Sequence, residues 1–140
     1  ESELLKQVIE YIQQELFDLG SELATPPDAH YPAMWQASEE HILNLEKLCD
    51  HYSAGLPELP SFILPGGSSL AAAFNIARGV ARPAGRTPVA PQIGPPAQGL
   101  RFLNRLSDLL FIPAGWTPAK EGKTEPLWRQ SRERKLPILK

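Results

Sequence analysis

The chain has 140 residues, with 14 lysines and arginines against 16 acidic residues and a formal net charge of −2. This length suits one domain, and the balanced charge argues against nucleic acid as a partner, because dedicated binders carry a basic excess. No apolar run approaches the roughly 20 residues that span a bilayer, which argues against a membrane protein. The lone cysteine, Cys49, excludes a disulfide framework and fits a reducing compartment, so we expect a cytoplasmic protein.

Two amphipathic helices are predicted in the first half of the chain. Aliphatic residues recur at three- and four-residue steps over about 3–20, and Gly20 is a natural end for this helix. A loop with three prolines follows over 24–37. Ser38 offers an N-cap for a second helix, with acidic residues in its first turn and an end near Tyr52.

Two further helices are predicted in the second half. The first is alanine-rich, follows Ser69 and is expected to lie at the centre of the bundle. Residues 79–99 hold five prolines and four glycines, which predicts a loop. A strong amphipathic helix then covers 100–111, and Pro113 is expected to close it.

The domain organisation follows from these elements. We expect an all-α bundle of about four helices over 1–116, with the 79–99 loop inside it, and a basic tail over 117–140. The tail holds seven of the 14 cations and only three acidic residues, a composition that is typical of a solvated end.

Four polar residues on the last two helices are candidates for binding. Arg78 and Arg82 are four positions apart, so both guanidinium groups point to one side of a helix, and such forks suit phosphate oxygens. The alternative is a pair of exposed arginines, each with a carboxylate neighbour. Asn104 and Asp108 share the polar stripe of the last helix, which faces either solvent or an interface or ligand site.

Other motifs carry less chemistry. The Pro-Gly-Gly-Ser-Ser turn that begins at Pro65 precedes a helix and could present N–H groups to an anion, but a tight turn with a serine cap is favoured. The three histidines, His30, His41 and His51, lack metal-ligand spacing and are expected to be exposed or satisfied by hydrogen bonds. We expect no metal site formed by protein side chains alone.

Four strings, read together, resemble ATP:cob(I)alamin adenosyltransferases of the PduO type. They are Glu-Leu-Phe-Asp-Leu-Gly-Ser-Glu-Leu-Ala-Thr-Pro, Ser-Phe-Ile-Leu-Pro-Gly-Gly, an arginine-rich stretch, and Arg-Phe-Leu-Asn-Arg-Leu-Ser-Asp-Leu-Leu-Phe, at 15–26, 61–67, 78–86 and 101–111. Their order and approximate spacing agree with the family, and the resemblance covers most of residues 8–128.

The resemblance implies a five-helix bundle that assembles as a homotrimer, with active sites between subunits. The implied reaction moves the 5′-deoxyadenosyl group of ATP to the cobalt of reduced cobalamin, releasing triphosphate and forming adenosylcobalamin. Cobalt(I) is then the nucleophile, so the protein holds ATP and corrinoid in line and stabilises the leaving triphosphate. Mg²⁺ on the phosphates is expected.

The resemblance also implies roles for five residues. Phe62 matches the aromatic residue that packs below the corrin and keeps the lower ligand off cobalt. Arg78 matches an arginine in an intersubunit salt bridge near the nucleotide. Arg82 and Asn104 match positions that contact ATP, and Asp108 matches a site residue on the same stripe. We therefore expect Phe62, Arg78 and Arg82 to act in catalysis.

The chain departs from the family in ways that favour a second hypothesis. The family's N-terminal Thr-Arg-x-Gly-Asp-x-Gly loop is absent from this sequence, and Pro83, Gly85, Pro113 and Gly115 replace family residues. A proline inside a helix costs about 3 kcal/mol, so the last two helices are expected to end or kink near Arg82 and near Ile112. The alternative function is a non-catalytic trimeric relative that binds corrinoid or a protein partner.

Overall fold

The computed structural model describes residues 2–54, 56, 58, 64, 66–84, 97–120, 127 and 129. Within these ranges the chain forms four α-helices and a short 3₁₀ turn. The helices are α1 (Ser2–Ala24), α2 (Glu39–Ser53), α3 (Ser69–Ala84) and α4 (Ala97–Lys120), and the turn is Pro27–Ala29. The prediction of an all-α chain with about four helices is confirmed.

Helix α4 lies at the centre of the fold, because both α2 and α3 pack against it. Phe102, Leu106 and Leu109 of α4 are almost completely buried, and they form one core with side chains from the other three helices. These α4 positions recur at three- and four-residue steps, so the apolar stripe that was read from the sequence is the buried face. The opposite face of α4 is left for polar side chains.

Helix α1 does not end at Gly20, as the sequence predicted, but continues to Ala24. Its last turn is held by Glu22, whose buried carboxylate accepts a hydrogen bond from the backbone N–H of Ala37 at 3.2 Å. Leu19 is also buried there. Because these contacts stabilise the final turn, the intrinsic preference of glycine for a helix end is overridden.

Helix α2 begins where the sequence predicted, directly after Ser38. The N-cap is reinforced by His41, whose Nδ1 accepts a hydrogen bond from the backbone N–H of Ser38 at 3.1 Å. This is the reciprocal arrangement of a capping box with an imidazole in the place of the usual glutamate. The helix ends at Ser53, one residue after the predicted end.

Helix α3 ends at Ala84, close to the predicted end at Arg82. The prediction of a loop over 79–99 is therefore wrong at both of its ends, since 79–84 belong to α3 and 97–99 to α4. Gly79 and Pro83 are tolerated because both are exposed and Pro83 lies in the last turn, where one lost hydrogen bond affects few residues. Residues 85–96 lie outside the described ranges.

The prediction that Pro113 closes the last helix is also wrong, because α4 continues through it to Lys120. A proline removes one backbone hydrogen bond but leaves the following residues free to adopt helical dihedral angles. Here the Pro113 side chain is buried, so its ring adds apolar contact that offsets part of the cost. The helix runs beyond the predicted domain boundary at 116, and that boundary stays a prediction.

One face of α3 is open, contrary to the expectation of a buried central helix. Ile76 and Val80 are each 71% exposed, although Phe74 on the other face is buried. An apolar groove of about 570 Å³ lies between α1, α3 and α4, and Val80 is part of its lining. In the described part of the chain, no helix is long and apolar enough to cross a membrane.

Candidate functional site

Arg78 joins α3 to α4 through an aromatic ring. Its side chain is half-buried, and the central carbon of the guanidinium lies 4.8 Å from the centre of the Phe111 ring. The negative face of an aromatic ring attracts a cation at this distance. Since the ring belongs to α4 and the cation to α3, the contact fixes the guanidinium at the seam between these helices.

Arg82 lies one helical turn after Arg78, and its side chain is exposed. Residues four apart share one face of a helix. Within the described ranges, neither guanidinium lies within ion-pair distance of a carboxylate. The alternative in which each arginine has a carboxylate neighbour therefore finds no support there. Two like charges on one face favour an anion between them.

The arginines of α4 are placed differently. Arg101 forms two hydrogen bonds with the carboxylate of Glu39 in α2, at 2.6 and 3.1 Å, and these bonds lower the pKa of Glu39. Arg105 lies 3.1 Å from a carboxylate oxygen of Glu46 and 3.1 Å from one of Asp108. Both cations are thus paired along the seam between α2 and α4.

Asn104 and Asp108 are both exposed on α4. The Asn104 side chain forms no hydrogen bond with any residue that the structure describes, whereas Asp108 accepts a hydrogen bond from Arg105 at 3.1 Å. Phe111 follows Asp108 by three positions and Asn104 by seven, so the three lie on one side of the helix. Arg78 therefore meets α4 along the same stripe that carries Asn104 and Asp108.

Four of the five predicted site residues thus belong to two helices that pack against each other. They are Arg78 and Arg82 on α3, and Asn104 and Asp108 on α4. Phe62 lies outside the described residues. The assignment of all five to a ligand site stays a prediction.

The model of the family described as cobalamin adenosyltransferase matches residues 1–117 of the chain. The chain belongs to the cobalamin adenosyltransferase family. It is 43% identical over 117 residues to a corrinoid adenosyltransferase of Mycobacterium leprae, covering 77% of this chain and 61% of the relative. It is 40% identical over 130 residues to the corrinoid adenosyltransferase of Bos taurus, covering 88% of this chain and 53% of the relative.

The fold also agrees with a solved structure of this family. A variant PduO-type ATP:corrinoid adenosyltransferase from Lactobacillus reuteri, complexed with cobalamin and ATP, superposes with a TM-score of 0.81 at 35% identity. The match covers 91% of this chain and 69% of that one. The chain spans only part of the length of the curated relatives named above, 61% of one and 53% of the other.

The turn before α3 is a capped helix start in this adenosyltransferase-family chain. The Ser68 side chain accepts a hydrogen bond from the backbone N–H of Ala71 at 3.1 Å, as an N-cap residue does. Gly67 has a φ of 88°, a backbone conformation that favours glycine. The predicted serine cap is confirmed, and one of the N–H groups that an anion would need is already used.

Sequence reasoning missed a buried polar cluster between α1 and the start of α2. The carboxylate of Glu15 lies 3.9 Å from Nε2 of His41, and the Trp35 ring lies 4.7 Å from the His41 ring. Among the described residues, one Glu15 oxygen and the indole nitrogen of Trp35 are buried without a hydrogen-bond partner. Burial raises the pKa of Glu15, and the nearby His41 opposes that shift.

The histidines are satisfied or exposed, as the sequence predicted. His30 forms a hydrogen bond with the backbone carbonyl of Thr25 at 3.0 Å, His41 caps α2, and His51 is exposed. The described ranges contain no group of three His, Cys, Asp or Glu side chains that could hold a metal ion.

Cys49 is not an activated nucleophile. Its thiol is half-buried on α2 and packs against the core. Burial raises the pKa of this thiol to about 11, so the reactive thiolate is scarce at neutral pH. Cys49 is therefore a poor candidate for a nucleophile.

Proposed function

We propose that this chain is part of an enzyme that transfers the 5′-deoxyadenosyl group of ATP to the cobalt of reduced cobalamin. The products are triphosphate and adenosylcobalamin. The observation that carries the proposal is the arginine pair of α3, which has no carboxylate partner among the described residues and lies beside the polar stripe of α4. Unpaired guanidinium forks suit the oxygens of a triphosphate.

The chemistry requires no nucleophile from the protein. A bond forms between cobalt(I) and the 5′ carbon of the ribose, while the bond from that carbon to the triphosphate oxygen breaks and its electron pair leaves with the triphosphate. Negative charge therefore grows on the phosphate chain. Cations fixed in advance near that position stabilise the transition state, because they need no reorganisation during the reaction. The inert Cys49 is consistent with this division of labour.

The site residues take separate roles in this proposal. Arg82 and Asn104 contact ATP, and their exposure leaves their polar groups accessible. Asp108 shares their side of the seam, although Arg105 already neutralises part of its charge. Arg78 forms an ion pair with a carboxylate of a neighbouring subunit, close to the nucleotide.

Phe62 packs below the corrin and keeps the lower ligand off cobalt. This role comes from the resemblance of the string over 61–67 to the family, since the residue lies outside the described ranges. Removal of the lower ligand favours the reduced cobalt that the reaction needs. An apolar ring at that place also excludes water.

Mg²⁺ would be held by the phosphates of ATP, with an exposed carboxylate such as Asp108 beside them, rather than by a dedicated protein site. Mg²⁺ usually keeps several waters and is bound through one or two carboxylates together with substrate phosphates. The described residues form no three-ligand metal cluster, and Asp108 is an exposed carboxylate near the proposed nucleotide. The residues present therefore fit a metal that arrives as a complex with ATP.

The assembly we propose is a homotrimer with active sites between subunits. The exposed apolar face of α3, with Ile76 and Val80, leaves surface that a neighbouring chain could bury. Sedimentation equilibrium tests the trimer, and a monomer would contradict it.

The proposed organisation of the chain is a bundle over 1–116 and a basic tail over 117–140. We also propose a cytoplasmic location, on the basis of the single, reduced cysteine.

A turnover assay tests the proposed reaction. The protein is mixed with ATP and chemically reduced cobalamin, and the formation of adenosylcobalamin is followed by its absorbance spectrum, with ATP and corrinoid affinities measured separately. We expect product and triphosphate in equal amounts. Corrinoid binding without product would instead favour the non-catalytic relative. The replacement of family residues by Pro83 and Gly85 is the sequence feature that supports this alternative. A protein that binds neither ATP nor corrinoid would contradict both functions.

A further inference from the structure

We propose that Phe111 is a positioning residue for Arg78, holding its guanidinium at the nucleotide site through the face of the ring. This inference rests on the proposed function, because it concerns the readiness of that site for ATP. The central carbon of the guanidinium lies 4.8 Å from the ring centre, within the range of about 6 Å over which this attraction acts. Both side chains are half-buried, which strengthens the attraction relative to open solvent.

No other side chain in the described ranges holds the charged end of Arg78. No carboxylate of the described residues lies within ion-pair distance of it. A long, flexible side chain without an anchor samples many rotamers, and a ligand must pay the entropy of selecting one. The Phe111 ring therefore reduces the number of conformations that Arg78 occupies before ATP arrives.

The geometry of this anchor differs from that of an ion pair. A ring attracts the guanidinium through its flat face, whereas hydrogen bonds to phosphate or carboxylate use the N–H groups in the guanidinium plane. Arg105 shows the opposite case, because Glu46 and Asp108 occupy its two terminal nitrogens. Phe111 thus fixes Arg78 in place and leaves its N–H donors free for the carboxylate of the neighbouring subunit that we propose as its partner beside the nucleotide.

The seam between α3 and α4 explains why Phe111 suits this task. Phe111 lies on the side of α4 that carries Asn104 and Asp108, at the positions seven and three residues before it. A guanidinium resting on that ring is therefore held beside the polar stripe rather than extended away from it. The same contact that packs α3 on α4 aligns a cation with the other proposed ATP-binding groups.

The test compares two substitutions at this position. Phe111→Leu keeps an apolar side chain of similar reach but removes the ring, and Phe111→Tyr keeps the ring. Phe17→Leu is the matched control, since Phe17 is 77% exposed on α1 and has no role in the site. ATP affinity is measured by titration calorimetry, the Arg78 Nε–H resonance by NMR, and folding by circular dichroism.

We expect Phe111→Leu to weaken ATP binding by about three- to tenfold, the range that a partly desolvated cation–ring contact supports. Phe111→Tyr and Phe17→Leu should bind ATP as the wild type does. The ring-current shift of the Arg78 Nε–H resonance should be present in the wild type and the tyrosine variant and absent in the leucine variant.

Two results would overturn the inference. The first is a folded Phe111→Leu protein with wild-type ATP affinity, which would mean that the residue only packs the seam. The second is an Arg78 resonance that Phe111→Leu leaves unmoved, which would mean that the contact does not set the position of the guanidinium. If the wild type itself binds no ATP, the proposed function fails and the role of Phe111 in the site fails with it.

Discussion

The arginines of α3 and α4 occupy the same spacing and have opposite surroundings. Arg78 and Arg82 are four positions apart on α3, and Arg101 and Arg105 are four apart on α4. The α4 pair is neutralised by carboxylates, chiefly from α2, at 2.6 to 3.1 Å. The α3 pair meets no carboxylate among the described residues, and one of its members rests on an aromatic ring.

The difference follows from what each helix faces. The α4 pair lies along the seam with α2, which supplies Glu39 and Glu46, so two cations and their carboxylates form a polar edge that links the helices. The described ranges bring no carboxylate within ion-pair distance of Arg78 or Arg82 on α3. Two arginines four residues apart therefore mark a candidate anion site. Whether they are free to bind an anion depends on whether the neighbouring helix supplies carboxylates that pair with them.

The strongest test of this comparison removes one charge from the α3 pair. A hydrogen bond to a charged group contributes about 1.5–3 kcal/mol, so Arg82→Ala should weaken ATP binding by about 10- to 100-fold. The side chain is exposed, so the folded bundle should be retained. Titration calorimetry measures the affinity and thermal unfolding checks the fold. Unchanged affinity in a folded variant would remove Arg82 from the site.

An intermediate effect is expected from the one carboxylate in the described ranges that is both buried and poorly paired. Glu15→Gln should stabilise the fold by about 1 kcal/mol at pH 8, since it removes a charge whose burial is incompletely compensated. The variant sharpens the comparison because Glu15 lies 3.9 Å from the imidazole of His41, whereas Glu39 lies 2.6 Å from the guanidinium of Arg101. Chemical denaturation gives the free energy of unfolding.

The pH dependence of that variant has a definite sign. The pKa of Glu15 is higher in the folded state than in the unfolded state. The carboxyl therefore makes its full contribution to stability when the pH is below the unfolded-state pKa. Its contribution is lost as the pH rises through the folded-state pKa. The advantage of Glu15→Gln should therefore grow as the pH rises from 4 to 8. An advantage that is constant with pH would mean that Glu15 does not titrate differently in the two states.

The smallest effect is expected from the paired side of the comparison. Arg101→Ala removes an exposed ion pair, and such pairs contribute little, so ATP affinity should change by less than about twofold. The thermal midpoint should fall only slightly. This variant is the matched control for Arg82→Ala, since each removes one exposed arginine from a helix. Equal losses of ATP affinity in the two variants would end the distinction between the pairs.

The sequence predicted the helices better than it predicted their ends. The existence of all four helices and the start of α2 at Ser38 followed from periodicity and capping. The predicted ends at Gly20 and Pro113 were wrong, because the local tendency of glycine and proline to end a helix does not prevail at these positions. Tertiary contacts, such as the hydrogen bond from Ala37 to Glu22, stabilise turns that glycine would otherwise end.

The site was predictable only in part. The resemblance to the family named Arg78, Arg82, Asn104 and Asp108, and the structure brings their helices together. Nothing in the sequence indicated that Phe111 would meet Arg78, because residues 33 positions apart are joined only by the packing of α3 on α4. The Glu15–His41 cluster was missed for the same reason, since Glu15 reads as part of the polar side of an amphipathic helix.

The half-buried thiol of Cys49 can report on transient opening of the helical bundle. At a pKa of about 11, only about one thiol in ten thousand is ionised at pH 7, so alkylating reagents attack the closed form slowly. Detachment of α2 would restore an ordinary thiol and accelerate labelling. The rate of iodoacetamide capture, followed by mass spectrometry, would therefore time the opening events of the bundle without any engineered label.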